Sequence, residues 1–380
     1  MPFNPWLGFV AETIVAMRRT FEVMARPPEP GQPDAGTPAA GLKQWATRHT
    51  VLAELPTMRV LDFSDGHGGP GAIIVAPYAL HAATTADLAR GHSVIGALLD
   101  AGVSRLVLTD WRRAGEAQRY LSIDSCLADL NAIVDDFGAP AALVGLCQGG
   151  LLAAVYAARF PAKISRLALV GAPIDIEAGS SLISTSVQHT LPFAIEAMLE
   201  QGNGILHGEQ LMVAWPSQIL DEPGICATLQ IERVGAAVRQ RFADWYHDLI
   251  DLPGVFYQQT VDWVFRENRF ARGSFPALGR SVGLGEIGCP LFLLAATGDD
   301  VVNPKQLLAI ASRVGTRKNE IITRLVEGRH LSLFMGKRIL GEVWPDIARF
   351  LKGRPAQMAS AAPSSGRAPG RRRNDKAKPT

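Results

Sequence analysis

A thiol, a carboxylate and an imidazole occur in this chain in an order that nucleophilic acyl transfer can use: Cys147, then Asp299 with Asp300 beside it, then His330. A cysteine that attacks a carbonyl needs a base to take its proton and an acid to orient that base. Cys147 lies within Gly145-Leu146-Cys147-Gln148-Gly149-Gly150. Ala141–Val144 before it reads as a short apolar strand, and Leu151–Phe160 after it reads as a helix. Strand, sharp turn and helix form the context of a nucleophile elbow, with cysteine where serine is commoner. Such a turn brings helix and strand close together in a strained backbone, and Gly145 and Gly149 supply the room. The helix N-terminus places N–H groups and the positive dipole end beside Cys147, which favours negative charge there.

The other two members follow strands. Pro290–Ala296 has a buried-strand pattern and runs into Thr297-Gly298-Asp299-Asp300, while Glu320–Val326 reads as a strand and runs into Glu327-Gly328-Arg329-His330. Open α/β sheets place their sites just past the carboxyl ends of strands. Asp299, directly after the strand-and-glycine turn, is the expected partner of His330, and Asp300 competes for the same role. An oxyanion needs two donors. One is the N–H of Gln148, and the other is expected from the turn Pro77-Tyr78-Ala79-Leu80-His81, at Tyr78 or Ala79. His81 reads as a loop residue rather than a second base, and Asp110 as a structural or rim residue. The four cysteines, Cys126, Cys147, Cys226 and Cys289, form no CxxC and no His/Cys cluster. That pattern argues against a disulfide framework or a metal site and fits a reducing, cytoplasmic setting.

The elements that must position these groups alternate regularly. Met58–Phe63, Gly71–Ala76, Arg105–Asp110 and Leu167–Gly171 read as strands, and Ala86–Ala101 and Ile123–Phe137 as helices. Such alternation predicts an α/β fold, a mostly parallel central sheet covered by helices. Between Asp175 and Pro290 the alternation stops, and Leu191–Glu200, Ile231–Leu249 and Gly254–Phe270 read as helices rich in aromatic residues. This predicts a largely helical cap insertion at about 176–285, and its apolar character points to a hydrophobic acyl substrate. A last helix is expected at about Glu342–Leu351.

With 380 residues, 47% hydrophobic and 19% charged, the chain has ample material for one large domain, expected over 42–352. Residues 1–26 carry Trp6, Phe9, Val10, Ile14, Met17, Phe21 and Met24 at helical spacing. They predict an amphipathic helix that docks on the body or lies on a hydrophobic surface such as a polymer granule. Residues 27–41 read as a Pro/Gly linker and 353–380 as a disordered basic tail. From Gly353 onward seven Lys/Arg face only Asp375, so the net charge of +2 divides into +6 there and −4 before it. The Arg371-Arg372-Arg373 run reads as a solvated end, without a specific nucleic-acid partner. No stretch reaches the roughly 20 apolar residues of a membrane span. Trp6–Met17 contains Glu12 and lacks a basic n-region, so a signal peptide is not expected.

These motifs, over 55–350, resemble the superfamily of polyhydroxyalkanoate synthases and intracellular polyhydroxyalkanoate depolymerases, cysteine enzymes of the α/β-hydrolase fold. The elbow 145–150 is similar to that of the shorter, two-component synthases, and Ala296-Thr297-Gly298-Asp299-Asp300-Val301-Val302-Asn303-Pro304 to the family's acid turn. The depolymerases are resembled at Ala76-Pro77 with His81–Thr84, Thr109-Asp110-Trp111, Gly171–Asp175, Phe256–Phe265 and His330–Arg338. Two positions depart from the patterns: the depolymerases carry proline where this chain has Gly149, and the synthases Gly-Gly-His where it has Gly328-Arg329-His330. The resemblance implies a Cys147–His330–Asp299 triad and an acyl-enzyme, with coenzyme A as co-substrate or product and no other cofactor. It implies polyhydroxyalkanoate polymer or 3-hydroxyacyl-coenzyme A as the substrate. It further implies a cytoplasmic location on granules and a homo-oligomer or partner subunit. Because the depolymerase-like stretches are longer and include the cap, poly-3-hydroxybutyrate depolymerase is the first expectation and synthase the alternative. A small-substrate thioesterase or esterase, or an inactive granule-binding protein, completes the set.

Overall fold

The computed structural model describes residues 45–66, 69–212 and 220–353. The expected N-terminal helix at 1–26, the linker at 27–41 and the basic tail lie outside the described residues. Eight strands form one sheet: β1 (Thr50–Glu54), β2 (Met58–Asp62), β3 (Gly71–Val75), β4 (Arg105–Trp111), β5 (Ala141–Leu146), β6 (Ile164–Val170), β7 (Leu291–Ala296) and β8 (Ile321–Val326). Their spatial order is β1-β2-β4-β3-β5-β6-β7-β8. β2 runs antiparallel to both neighbours, and every pairing from β4 to β8 is parallel. Strands β5 and β7 are buried along their whole length, as continuous apolar runs covered on both faces must be.

Three helices of the first half pack on this sheet: α1 (Val94–Asp100), α2 (Ile123–Phe137) and α3 (Gln148–Arg159). The Ser122 hydroxyl accepts the Ser125 N–H to start α2, whose buried residues Ile123, Cys126, Leu127, Leu130, Ile133, Val134 and Phe137 follow one helical stripe. α1 is shorter than the pattern predicts. Instead of a helix from Ala86, the chain forms a 3-10 turn at Ala83–Ala86 and an antiparallel pair, Asp87–Ala89 with His92–Ser93. The cause is the fully buried Asp87 carboxylate, which accepts Thr47 N–H at 2.8 Å, the Thr47 hydroxyl at 2.9 Å and the Ser93 hydroxyl at 2.5 Å. Ser93 then caps α1 by accepting the Gly96 N–H.

The cap carries α4 (Leu182–His189), α5 (Pro192–Gln201), α6 (Glu222–Leu229), α7 (Ala236–His247) and α8 (Gly254–Gln259). It is largely helical, with two small strand pairs that the sequence pattern does not show, Ile205–Leu206 with Leu252–Pro253 and Phe275–Ala277 with Arg280–Val282. The expected helix over 254–270 changes pitch: after α8 the chain forms a π-helix at Thr260–Arg266. Phe242, Trp245, Tyr246 and Phe256 are buried and join the cap to the body: Trp245 and Tyr246 lie against His81, and Phe256 lies 4.8 Å from the Tyr78 ring. Its two roots are fastened together: Asn268 donates to Asp175 at 2.9 Å and accepts the Ile176 N–H at 3.2 Å, and Arg313 pairs with the same aspartate. After β8 come α9 (Ser332–Met335), α10 (Lys337–Glu342) and α11 (Trp344–Leu351), the last being the helix expected at about Glu342–Leu351. Among the described residues no helix is long and apolar enough to cross a membrane.

Candidate active site

Cys147 sits between β5 and α3 with φ 49° and ψ −124°, a conformation that costs a non-glycine residue on the order of 1–3 kcal/mol. Glycine makes the turn possible. A Cβ at Gly145 would lie 2.4 Å from Gly150 Cα, one at Gly149 would lie 2.2 Å from the Val75 carbonyl oxygen, and one at Gly150 would lie 2.5 Å from Ala172 Cβ. The Cys147 N–H donates to Val170 O at 2.9 Å, which ties the elbow to the end of β6. Gln148 opens α3, so its N–H has no intrahelical acceptor.

The loop after β3 is held from β4. Thr109 Oγ1 accepts the Ala76 N–H at 3.0 Å, and Trp111 Nε1 donates to Ala76 O at 2.7 Å. Because the Ala76 donor is occupied and Pro77 has none, the first N–H groups this loop can offer are those of Tyr78 and Ala79. The Tyr78 side chain is buried, with its ring stacked 5.0 Å from Trp111 and its hydroxyl donating to Arg112 O at 2.9 Å. Burial, with the nearby Cys126 and Asp251, pushes its phenol well above the ordinary range. The side chain is therefore an anchor for the loop.

His330 and Asp299 meet in the interior. His330 Nδ1 is 2.8 Å from Asp299 Oδ2, with side chains only 3% and 1% exposed. The second oxygen, Asp299 Oδ1, accepts the N–H groups of Val301 and Val302 at 2.9 and 2.8 Å. Asp300 is exposed. Burial of the ring works against its proton. Asp299 and Cys147, each through its charge and a hydrogen bond, together outweigh it, and the imidazole stands well above its usual pKa. Phe334 meets the ring edge-on at 5.3 Å, and Gly171, at φ 57°, leaves space for it: a Cβ there would lie 3.2 Å from His330 Cε1. His330 is thus paired with Asp299 and hydrogen-bonded to Cys147, which brings a thiol, an imidazole and a carboxylate together.

The remaining singled-out residues lie apart from this group. His81 is buried against Trp245 and Tyr246, with ring centroids 4.5 and 5.3 Å away, and burial and the nearby His247 push its pKa down to about 3. Asp110, 1% exposed, is paired with Arg59 at 2.5 Å. Cys126 and Cys289 are buried, and burial raises both thiols, Cys289 to about 11. No group of three or more His, Cys, Asp or Glu is placed to hold a metal ion among the described residues. Thr109 and Trp111 act on the loop in a way that the sequence signals only as the ends of a strand.

Residues 67–336 match the family model described as the alpha/beta hydrolase fold. The chain belongs to that family. This α/β-hydrolase is 26% identical over 301 residues to the poly(3-hydroxyalkanoate) polymerase subunit PhaC of Synechocystis sp., covering 74% of this chain and 76% of that protein. It is 26% identical over 286 residues to the subunit of the same name from Allochromatium vinosum, covering 70% and 77%. Among solved structures it resembles a monoacylglycerol lipase of Paleococcus ferrophilus, with a TM-score of 0.53 and 16% identity over 78% of this chain and 98% of that one. An epoxide hydrolase of Bacillus megaterium has a TM-score of 0.51 and 13% identity over 76% and 94%. These structural likenesses bear on the α/β-hydrolase fold alone.

Proposed function

We propose that this chain is a cysteine acyltransferase that polymerises 3-hydroxyacyl groups from their coenzyme A thioesters. The observation that carries the reading is the buried Asp299–His330 bond facing a cysteine on a glycine-walled elbow. Cys147 gives its proton to His330 and its sulfur attacks the thioester carbonyl. The developing oxyanion accepts from the N–H of Gln148 and from that of Tyr78 or Ala79. Collapse breaks the carbon–sulfur bond to coenzyme A, which leaves with the proton from His330, and the acyl group stays on Cys147. The hydroxyl of another 3-hydroxyacyl unit then attacks, loses its proton to His330, forms an ester and releases Cys147.

The direction of reaction rests on the relatives named above, whose names describe a polymerase. That support moves the reading from depolymerase, the first expectation from the sequence, to synthase. Because those names also describe a subunit, a partner polypeptide belongs to the proposal, as does a cytoplasmic location at polymer granules. A depolymerase is the second reading, favoured by the stretches Phe256–Phe265 and His330–Arg338. In it, water or the thiol of coenzyme A attacks the acyl-enzyme instead. Incubation with 3-hydroxybutyryl-coenzyme A, and separately with amorphous polyhydroxybutyrate granules, separates the two. Release of coenzyme A with growth of polymer is the expected result; loss of granule mass with soluble hydroxyacids or thioesters overturns it in favour of the depolymerase.

A further inference from the structure

The relay leaves one cap residue unaccounted for. Gln230 directly follows α6 in the left-handed conformation, φ 54°, and its carboxamide spans to the segment that carries His330. Nε2 donates to Glu327 O at 3.2 Å, and Oε1 accepts the Ile339 N–H at 3.1 Å. Between these two points the backbone comes close to the amide wherever there is glycine. A Cβ at Gly328 would lie 3.2 Å from Gln230 Nε2, and one at Gly336 would lie 2.6 Å from Gln230 Oε1. Gly328, at φ 155°, also accepts the Gly298 N–H through its carbonyl at 3.0 Å, one residue before Asp299. One amide thus grips the backbone on both sides of His330, and that backbone leans on the turn of Asp299.

The other holds on this segment come from the sheet body: Trp344 Nε1 donates to Leu333 O at 2.9 Å, and His92 Nδ1 lies 2.8 Å from Met335 O. Among the described residues, the hydrogen bonds from the cap to this segment are both made by Gln230. We propose that Gln230 is a positioning residue that couples the seating of the cap to the alignment of the Asp299–His330 pair. The inference rests on the proposed Cys147–His330–Asp299 relay. It requires an amide, since one end must donate and the other accept. Glutamate keeps only the acceptor and methionine keeps neither, at nearly the same length. The fold itself depends less on this residue, because Arg338 also donates to Glu327 O, at 2.8 Å.

The test uses the full chain with Gln230→Met, Gln230→Glu and Cys147→Ala, assayed for thioester cleavage across pH beside denaturant midpoints. A small displacement of a catalytic group costs roughly a hundredfold in rate, so Gln230→Met is expected to lose about ten- to a hundredfold in kcat. KM stays within about threefold, the limb of the pH profile that reports the imidazole moves, and Gln230→Glu recovers part of kcat through its retained acceptor. Should Gln230→Met not fold, Gln230→Glu carries the same comparison. Wild-type kcat and pH profile in a folded Gln230 variant, with Cys147→Ala inactive, overturns the coupling and leaves the relay standing. Turnover in Cys147→Ala refutes the relay and the coupling with it.

Discussion

Asp299→Asn isolates what the carboxylate does for His330. Asp299 Oδ1 already accepts two N–H groups, from Val301 and Val302 at 2.9 and 2.8 Å, so the asparagine oxygen must stay there. The amide NH2 is then forced onto His330 Nδ1, where Oδ2 sits at 2.8 Å in the parent. A donor at that position makes Nδ1 the acceptor and moves the ring proton to Nε2, on the side where the thiol proton has to arrive. The wrong tautomer costs about 10⁴ in rate in a catalytic triad of this logic, or about 5 kcal/mol of barrier. The same change removes the charge that holds the imidazole's pKa up against burial, so the ring loses its proton at lower pH than in the parent. Thioester cleavage at saturating substrate reads the rate, and the histidine Cε1 proton resonance reads the titration. Asp300→Asn, at an exposed side chain, is expected to stay within about twofold of the parent. If Asp299→Asn kept more than about a tenth of the activity, or if Asp300→Asn were the variant that failed, Asp299 would not be the group that orients His330.

His81 makes a stability prediction. Its folded pKa, lowered to about 3, lies below the value of an unfolded histidine, so its contribution is complete above pH 6.5 and is lost as pH falls toward 3. At pH 5 the loss is about 2 kcal/mol, and urea titrations between pH 7 and 5 should show that slope in the parent and not in His81→Phe, which keeps the stack on Trp245. Gly149→Ala drives a methyl group into the carbonyl oxygens of Val75 and Ala76, 2.2 and 2.3 Å away. Overpacking against backbone costs roughly 1–3 kcal/mol, and here the displaced carbonyls lead into the Tyr78–Ala79 turn proposed to supply an oxyanion donor, so activity should fall with stability. A denaturant midpoint and kcat unchanged from the parent would count against the close approach.

What could be read in the sequence was local. The elbow was legible because Gly145, Gly149 and Cys147 meet a steric demand within a few residues, and the strands β3 to β7 because apolar runs on a doubly covered sheet need no partner to be recognised. The start of α1 was not, because the residues that stop a helix at Ala86 are Thr47 and Ser93 holding the Asp87 carboxylate. β1 carries no such signal, because it is an edge strand with Val51 and Leu52 about half exposed and no apolar alternation to mark it. Asp299 and Asp300 share one turn and one chemistry. What separates them is which carboxylate the N–H groups of Val301 and Val302 capture, a matter of backbone geometry. Gln230 stands 97 positions from Glu327 and carries no local pattern at all.

In the proposed reaction Cys147 carries the acyl group. Rapid quenching of the enzyme with 3-hydroxybutyryl-coenzyme A, followed by peptide mass analysis, should find the 3-hydroxybutyryl group on the peptide of Cys147 and none on Cys147→Ala. Turnover with no acyl group on Cys147, or acylation of Cys126, Cys226 or Cys289 in its place, would contradict it.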